Sequence, residues 1–230
     1  MLRHFRPIIF TCVVLLFMLW MAACTTEDYE TGNGVYSFLR ADFAEVHTAG
    51  EKKVVSARTD EGDTLVLQPP LDCSWATVPD STYRALLYYS REPGNKLEVK
   101  GFSAAQVLVL QAKEVKDESK VRTDPLTLES AWISPNGKYL NLGMFVKTGV
   151  SDAKDAYQTL AMMRDTTITS EGVRVHHLRL FHNQNSVPEY YSSRIYTSTP
   201  LAPFDKGDLL RIEINTYDGP VVRMFEVPER

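Results

Sequence analysis

From Val35 to Val227 the chain is a succession of short runs rich in β-branched and aromatic residues, each closed by a turn signal. That rhythm confines it to an all-β fold, because runs of this length alternate across a sheet and leave no helical stripe. The first set runs through residues 35–46, 53–58, 64–68, 83–90, 96–100 and 106–112, with turns at Thr59-Asp60-Glu61-Gly62-Asp63 and Glu92-Pro93-Gly94-Asn95. Pro69-Pro70 is expected to stop the third run, since proline cannot donate to a ladder. About six short strands over this length suit a small barrel.

Residues 113–124 (KEVKDESKVRTD) are charged, lack aromatics and end before Pro125, and read as an interdomain linker. Beyond them the β style resumes over 126–134, 139–147, 156–164, 173–183, 192–197, 209–216 and 221–227. About seven strands match an immunoglobulin-like β-sandwich. Pro135-Asn136-Gly137-Lys138 is the strongest hairpin signal, because Asn-Gly tolerates the positive φ of a tight turn, and Tyr217-Asp218-Gly219-Pro220 is another. Residues 151–157 either cap a helix or lead into a strand from about Ala156; the strand is the preferred reading.

Ahead of the β segments, Arg3, His4 and Arg6 precede a nearly unbroken apolar run, Ile8 to Met21, and Met21-Ala22-Ala23-Cys24 follows. Basic start, apolar stretch and small residues make a secretory signal over 1–23, and the cysteine turns it into a lipobox, so Cys24 is the predicted lipidation site. The run is shorter than the roughly twenty residues of a membrane span. Residues 24–34 (CTTEDYETGNG) are polar, acidic and glycine-bearing, a flexible tether whose acids either resemble an export tag for surface display of bacterial lipoproteins or serve as an ordinary solvated linker. Cys73 is then the lone side-chain thiol of the body, so no intramolecular disulfide supports it and the core must suffice. A lone cysteine of this kind is read as a small packed residue.

Residues 1–23 hold two of the 25 basic residues and none of the 29 acidic ones, so the mature chain carries a formal charge of −6. Such a body is repelled by phosphate backbones, which argues against nucleic acid as a partner. A hydrophobic fraction of 44% supports a folded core rather than disorder.

Four segments carry a resemblance to a known family: 132–142 (WISPNGKYLNL), 175–183 (VHHLRLFHN), 187–192 (VPEYYS) and 210–219 (LRIEINTYDG). With the lipobox, they resemble the NigD-like lipoproteins of Bacteroides-type bacteria. The resemblance implies an N-terminal OB-like barrel over 35–112 and a C-terminal β-sandwich over 125–228. It brings no catalytic residues, because the family has no established activity. The segment Thr148 to Asp155 is longer than the family usually shows.

No residue set points to chemistry. His176 and His177 are neighbours on a strand and face opposite sides, and His176 and His182 lie roughly 20 Å apart along it, too far to share an ion. No metal-ligand spacing, hydrolase elbow, P-loop or dinucleotide fingerprint occurs, so no metal or cofactor is expected. The aromatic residues are the better lead: Trp75 in a barrel loop, Tyr88 on an aromatic strand, and Tyr190 and Tyr191 after Pro188-Glu189 are the candidate ligand contacts. Core packing is the competing reading for each.

The expectation is a non-catalytic lipoprotein, lipid-anchored in the outer membrane, holding a glycan, peptide or envelope protein. Two alternatives stand beside it: an envelope glycan hydrolase with carboxylates assembled by the fold, and a bacteriocin-associated, immunity-like accessory factor.

Overall fold

The structure is a computed structural model that describes residues 38–91, 97–150, 156–170 and 172–229. The signal, Cys24, the acidic tether, the turn at 92–95 and most of the 151–157 segment lie outside the described residues. All that follows belongs to one compact unit, Leu39–Arg230.

Five strands close a barrel: β1 (Leu39–Thr48), β2 (Val54–Thr59), β3 (Thr64–Leu71), β4 (Thr82–Ser90) and β5 (Glu98–Gln106), in the order β1-β2-β3-β5-β4. Closure removes free sheet edges. Alternation sorts the side chains: Ala85, Leu87 and Tyr89 of β4 point inward with Ala44, Val46, Leu65, Leu67 and Val99. The even-numbered residues Arg84, Leu86 and Tyr88 point outward. β3 does not stop at Pro69-Pro70 but runs to Leu71. The β2–β3 register jumps from Val54↔Leu71 to Ser56↔Val66, so both prolines lie in a looped-out stretch that needs no ladder donor.

The barrel ends earlier than the sequence pattern implies. After Gln106, β6 (Leu108–Val109) joins a four-stranded sheet and β7 (Ala112–Glu114) a five-stranded one. The charged 113–124 segment is therefore partly strand, followed by a 3-10 turn at Glu118–Lys120, and not simply a linker. The remaining strands are β8 (Thr127–Ile133), β9 (Tyr139–Thr148), β10 (Thr159–Ser170), β11 (Val173–Asn183), β12 (Tyr191–Pro200), β13 (Leu209–Thr216) and β14 (Gly219–Glu226). The sheets read β14-β13-β11-β10-β7 and β6-β12-β9-β8. Gly219 and Pro220 belong to β14, so the final turn is only Tyr217-Asp218. Four pairings, β3 with β5, β7 with β10, β11 with β13 and β6 with β12, are parallel, which short sequence motifs do not reveal.

Both sheets contribute to one core: Leu140, Leu142 and Met144 from one, Met162, Leu178, Leu180, Leu210, Ile212 and Ile214 from the other, with Leu126, Leu201, Phe204 and Val227 also within it. Removing one such leucine side chain costs about 2–5 kcal/mol through lost transfer energy and an unfilled cavity.

The β8–β9 hairpin tip meets the barrel wall. Gly137 takes φ 68° in its turn, where Ser134 Oγ donates to Asn136 Oδ1 and the Lys138 amide donates to the same oxygen. The turn delivers Lys138 Nζ and the Tyr139 hydroxyl to Glu45 of β1, at 2.9 and 2.8 Å, and Asn136 Nδ2 to Asp60. Phe43 packs edge-on against Trp132 and Tyr196, with centroids 5.3 and 5.2 Å apart.

Candidate functional site

The aromatic residues singled out by sequence separate into two groups. Trp75 donates its indole N–H to the Ala104 carbonyl at 3.0 Å and meets Tyr83 edge-on at 5.6 Å, and it packs against the barrel core. It pins the β3–β4 loop. Tyr88 stands half-buried on the barrel's outer face, opposite in sense to the fully buried Tyr89. Cys73 also packs against the barrel core, where burial and the neighbouring Asp72 push its thiol up.

Tyr190 and Tyr191 are different: 79% and 56% of their surface is open to solvent. They lie at the end of the two-sheet unit where β9, β11 and β13 finish, together with Tyr157 at 66% and Tyr217 at 40%. Four exposed tyrosines in one neighbourhood are unusual, since large aromatic surface is normally covered. Tyr190 is seated by its surroundings. Its amide donates to the Thr148 carbonyl at 3.0 Å, and a Cβ on Gly149 would stand 2.7 Å from its ring.

Beside these rings lies a polar pocket of about 430 Å³, lined among others by Arg122, Asp124, Asn183, Gln184, Asn185 and Glu189. The wall is braced from within. The Gln184 amide donates to Asp124 Oδ2 at 2.7 Å, and its side chain donates to the carbonyls of Lys147 and Val187, both at 2.9 Å. Gln158 reaches the same Lys147 carbonyl at 2.6 Å. The buried His182 ring bridges the Asp124 carbonyl at 2.9 Å and the Gln158 side chain at 3.1 Å. Asn185 and Ser186 both take left-handed backbone, φ 47° and 59°, a conformation that persists only where neighbours over-determine it.

Three tyrosines are tied to this wall. Asn185 Nδ2 donates to the Tyr157 carbonyl at 3.2 Å, the Tyr217 hydroxyl donates to Glu189 Oε2 at 3.4 Å, and Tyr190 follows Glu189 in the chain. Lys147 pairs with Glu189 at 3.4 Å and lies 4.4 Å from the Tyr217 ring centroid, a cation–π contact. Partial burial and the Glu189 carboxylate push the Tyr217 phenol up. Sequence spacing alone gives no hint of Asn183, Gln184 and Asn185 as pocket residues; the only signal is a run of amides between two strand patterns.

A second arrangement bears on catalysis. Thr167 Oγ1 lies 2.9 Å from His176 Nδ1, and His176 Nε2 lies 2.8 Å from Asp208 Oδ2. An ionised carboxylate only accepts, so Nε2 carries the proton of its contact with Asp208. Asp208 also accepts from Arg174 Nε and the Asp205 amide, both at 3.0 Å. Burial alone would raise the Asp208 carboxyl, but the bonds from His176, the Asp205 amide and Arg174 more than offset it and hold the group below its usual range. His176 and Asp208 are only 6% and 4% exposed, and Thr167 lies opposite His176 across the β10–β11 pair. The geometry fastens the loop before β13 to the sheet. Among the described residues no group of three metal-ligating side chains converges.

No family model matches the chain, and no curated protein matches it in sequence. Solved structures do share its fold. A NigD-like immunity protein from Bacteroides caccae superposes with a TM-score of 0.63 at 19% identity, over 83% of this chain and 97% of its own. A DUF1344 protein of unknown function from Bacteroides vulgatus gives 0.62 at 16% identity, over 83% and 92%. A candidate lipoprotein from Bacteroides fragilis gives 0.57 at 11% identity, over 84% and 98%. The resemblance seen in the sequence to NigD-like proteins therefore holds at the level of the fold.

Proposed function

We propose that this chain is a non-catalytic, lipid-anchored binding protein of the bacterial cell envelope, with the tyrosine-rimmed end of its two-sheet unit as the ligand surface. The observation that carries this reading is the group of exposed tyrosines at the end of the two-sheet unit that also holds a braced polar pocket. Exposed rings on a fixed frame supply contact area at little entropic cost. Acylated Cys24 would hold the body to the outer membrane, with residues 24–34 as tether.

In this reading the barrel is OB-like and the two-sheet unit is an immunoglobulin-like sandwich. The barrel acts as support, because its candidate aromatics Trp75 and Tyr88 are half-buried or committed to packing. An accessory, immunity-like role is the form of binding suggested by the name of the solved Bacteroides caccae neighbour.

The test is co-sedimentation of the purified Cys24→Ser full chain, which carries no acyl anchor, with outer-membrane fragments from the producing bacterium. A Tyr190→Ala/Tyr191→Ala double variant should weaken binding about a hundredfold, two aromatic contacts at about tenfold each. Equal binding by the variant would overturn the reading.

A further inference from the structure

The pocket at the tyrosine end has a chemical character that narrows its ligand. Its wall is rich in side-chain amides, from Asn183, Gln184 and Asn185, with Asp124, Glu189 and Arg122 around them. Amides and carboxylates at fixed angles pair with vicinal hydroxyl groups, which donate and accept at once. The rings of Tyr190 and Tyr217 beside it offer flat apolar faces for the C–H faces of a sugar ring.

Charge and backbone exclude the competing ligands. Glu189 is paired with Lys147, and among the lining residues Arg122 offsets Asp124 in formal charge, so the site has no charge excess to select an anion or a cation. A peptide bound by strand addition needs a row of backbone donors. Here the amides of Gln184, Asn185, Val187 and Tyr190 are all spent internally, on Asp124, Asn183, the Gln184 carbonyl and the Thr148 carbonyl. The wall therefore reads its ligand through side chains. The left-handed pair Asn185-Ser186 holds that wall in its turn.

We infer that this pocket is a binding site for a neutral oligosaccharide, with Tyr190 and Tyr217 as stacking platforms, the side chains of Asn183, Asn185 and Asp124 as hydroxyl readers, and Gln184 as the brace that fixes them. The inference rests on the binding reading above and names its ligand class.

The test titrates the purified full chain in detergent with cellohexaose, maltohexaose and mannohexaose, with oligogalacturonate as the anionic control, by NMR or tyrosine fluorescence. Saturable binding of at least one neutral hexaose is expected. Tyr190→Ala and Tyr217→Ala should each weaken it about tenfold, one aromatic contact's worth. Asn185→Ala should weaken it while leaving the circular dichroism spectrum intact. Gly149→Ala, which crowds the Tyr190 seat, should weaken binding with every hydroxyl reader still present. Binding of oligogalacturonate alone, of no hexaose, or of a hexaose equally by all variants overturns the inference. If the hexaoses fail but outer-membrane fragments are still held through Tyr190 and Tyr191, the sugar assignment falls and the binding reading stands. If both fail, both fall.

Discussion

The guanidinium of Arg84 grips the carboxylate of Asp60 through both Nη atoms, at 2.7 and 2.5 Å, with each residue 6% exposed or less. Arg84 belongs to β4 and Asp60 to the β2–β3 turn, yet both find further partners in the two sheets beyond the barrel. Arg84 Nε donates to Ser198 Oγ at 3.2 Å, Ser198 Oγ donates to Asn141 Oδ1 at 2.6 Å, and the Tyr139 ring lies 4.2 Å from the guanidinium carbon. A charge pair taken out of water holds only if its remaining donors and acceptors are met. These contacts meet them and weld the barrel to the two-sheet unit.

Removing Arg84 should therefore be costly. Arg84→Ala leaves Asp60 buried and uncompensated, and should destabilise the chain by about 3–5 kcal/mol. Urea denaturation should show one cooperative transition for the parent chain and a second, earlier one for the variant, as the barrel loses its brace. An Arg84→Met/Asp60→Ala double variant should recover part of the loss, because no lone charge remains buried.

Acid should loosen the same contact through Glu45. Burial raises this carboxyl, but the bonds from Lys138 and Tyr139 outweigh it, so the folded value lies below the ordinary 4.5. The stabilisation is thus fully present above 4.5 and is lost as pH falls through the lower folded value. Urea midpoints measured from neutral pH into the acid range should fall more steeply in the parent than in Glu45→Gln.

Alkali acts in the opposite sense. Burial and a carboxylate partner push Tyr139 and Tyr89 up to about 12 from an ordinary 10, with Glu45 and Asp42 as the partners. Their contribution is intact below 10 and is lost as pH rises toward 12. Ultraviolet titration should show these two phenols ionising last, and Glu45→Gln should bring Tyr139 forward.

The Pro135–Lys138 turn was legible because Asn-Gly favours a tight turn with positive φ, which Gly137 supplies, and the alternation of β11 was legible because His176, Leu178, Leu180 and His182 recur at period two. What the turn touches was not legible, since Glu45 and Asp60 are distant in sequence and any of 29 acids could have served. Nor was Arg84, an arginine inside an apolar run, whose outward parity reads as solvent-facing until another element covers it. β6 and β7 escaped because strands of two and three residues carry no period. Of the candidate site, Tyr190 and Tyr191 stood out as paired aromatics in a loop. The amide wall beside them did not, because turn residues look alike whether or not they face a ligand.

Thr167, His176 and Asp208 repeat the hydroxyl–imidazole–carboxylate order of a hydrolase relay. Here they fasten the loop before β13 to the sheet. A fluorophosphonate probe should not label the chain, and Asp208→Asn should lower stability by about 1–3 kcal/mol as a buried network loses its charge. Labelling that disappears in Thr167→Ala would establish an enzyme instead.

Anchoring has its own test. With Cys24→Ser, palmitate labelling in cells should vanish and the polypeptide should move from the membrane to the soluble fraction. Retention of the variant in the membrane at parental level would contradict anchoring by lipid.

The claim that the tyrosine end is the ligand surface is reached most directly by hydrogen–deuterium exchange on the full chain, with and without outer-membrane fragments. The account predicts added protection over residues 184–191 and Thr216–Asp218, with the barrel strands unchanged. Protection centred on the barrel around Trp75 and Tyr88, or no added protection at the tyrosine end, would contradict it.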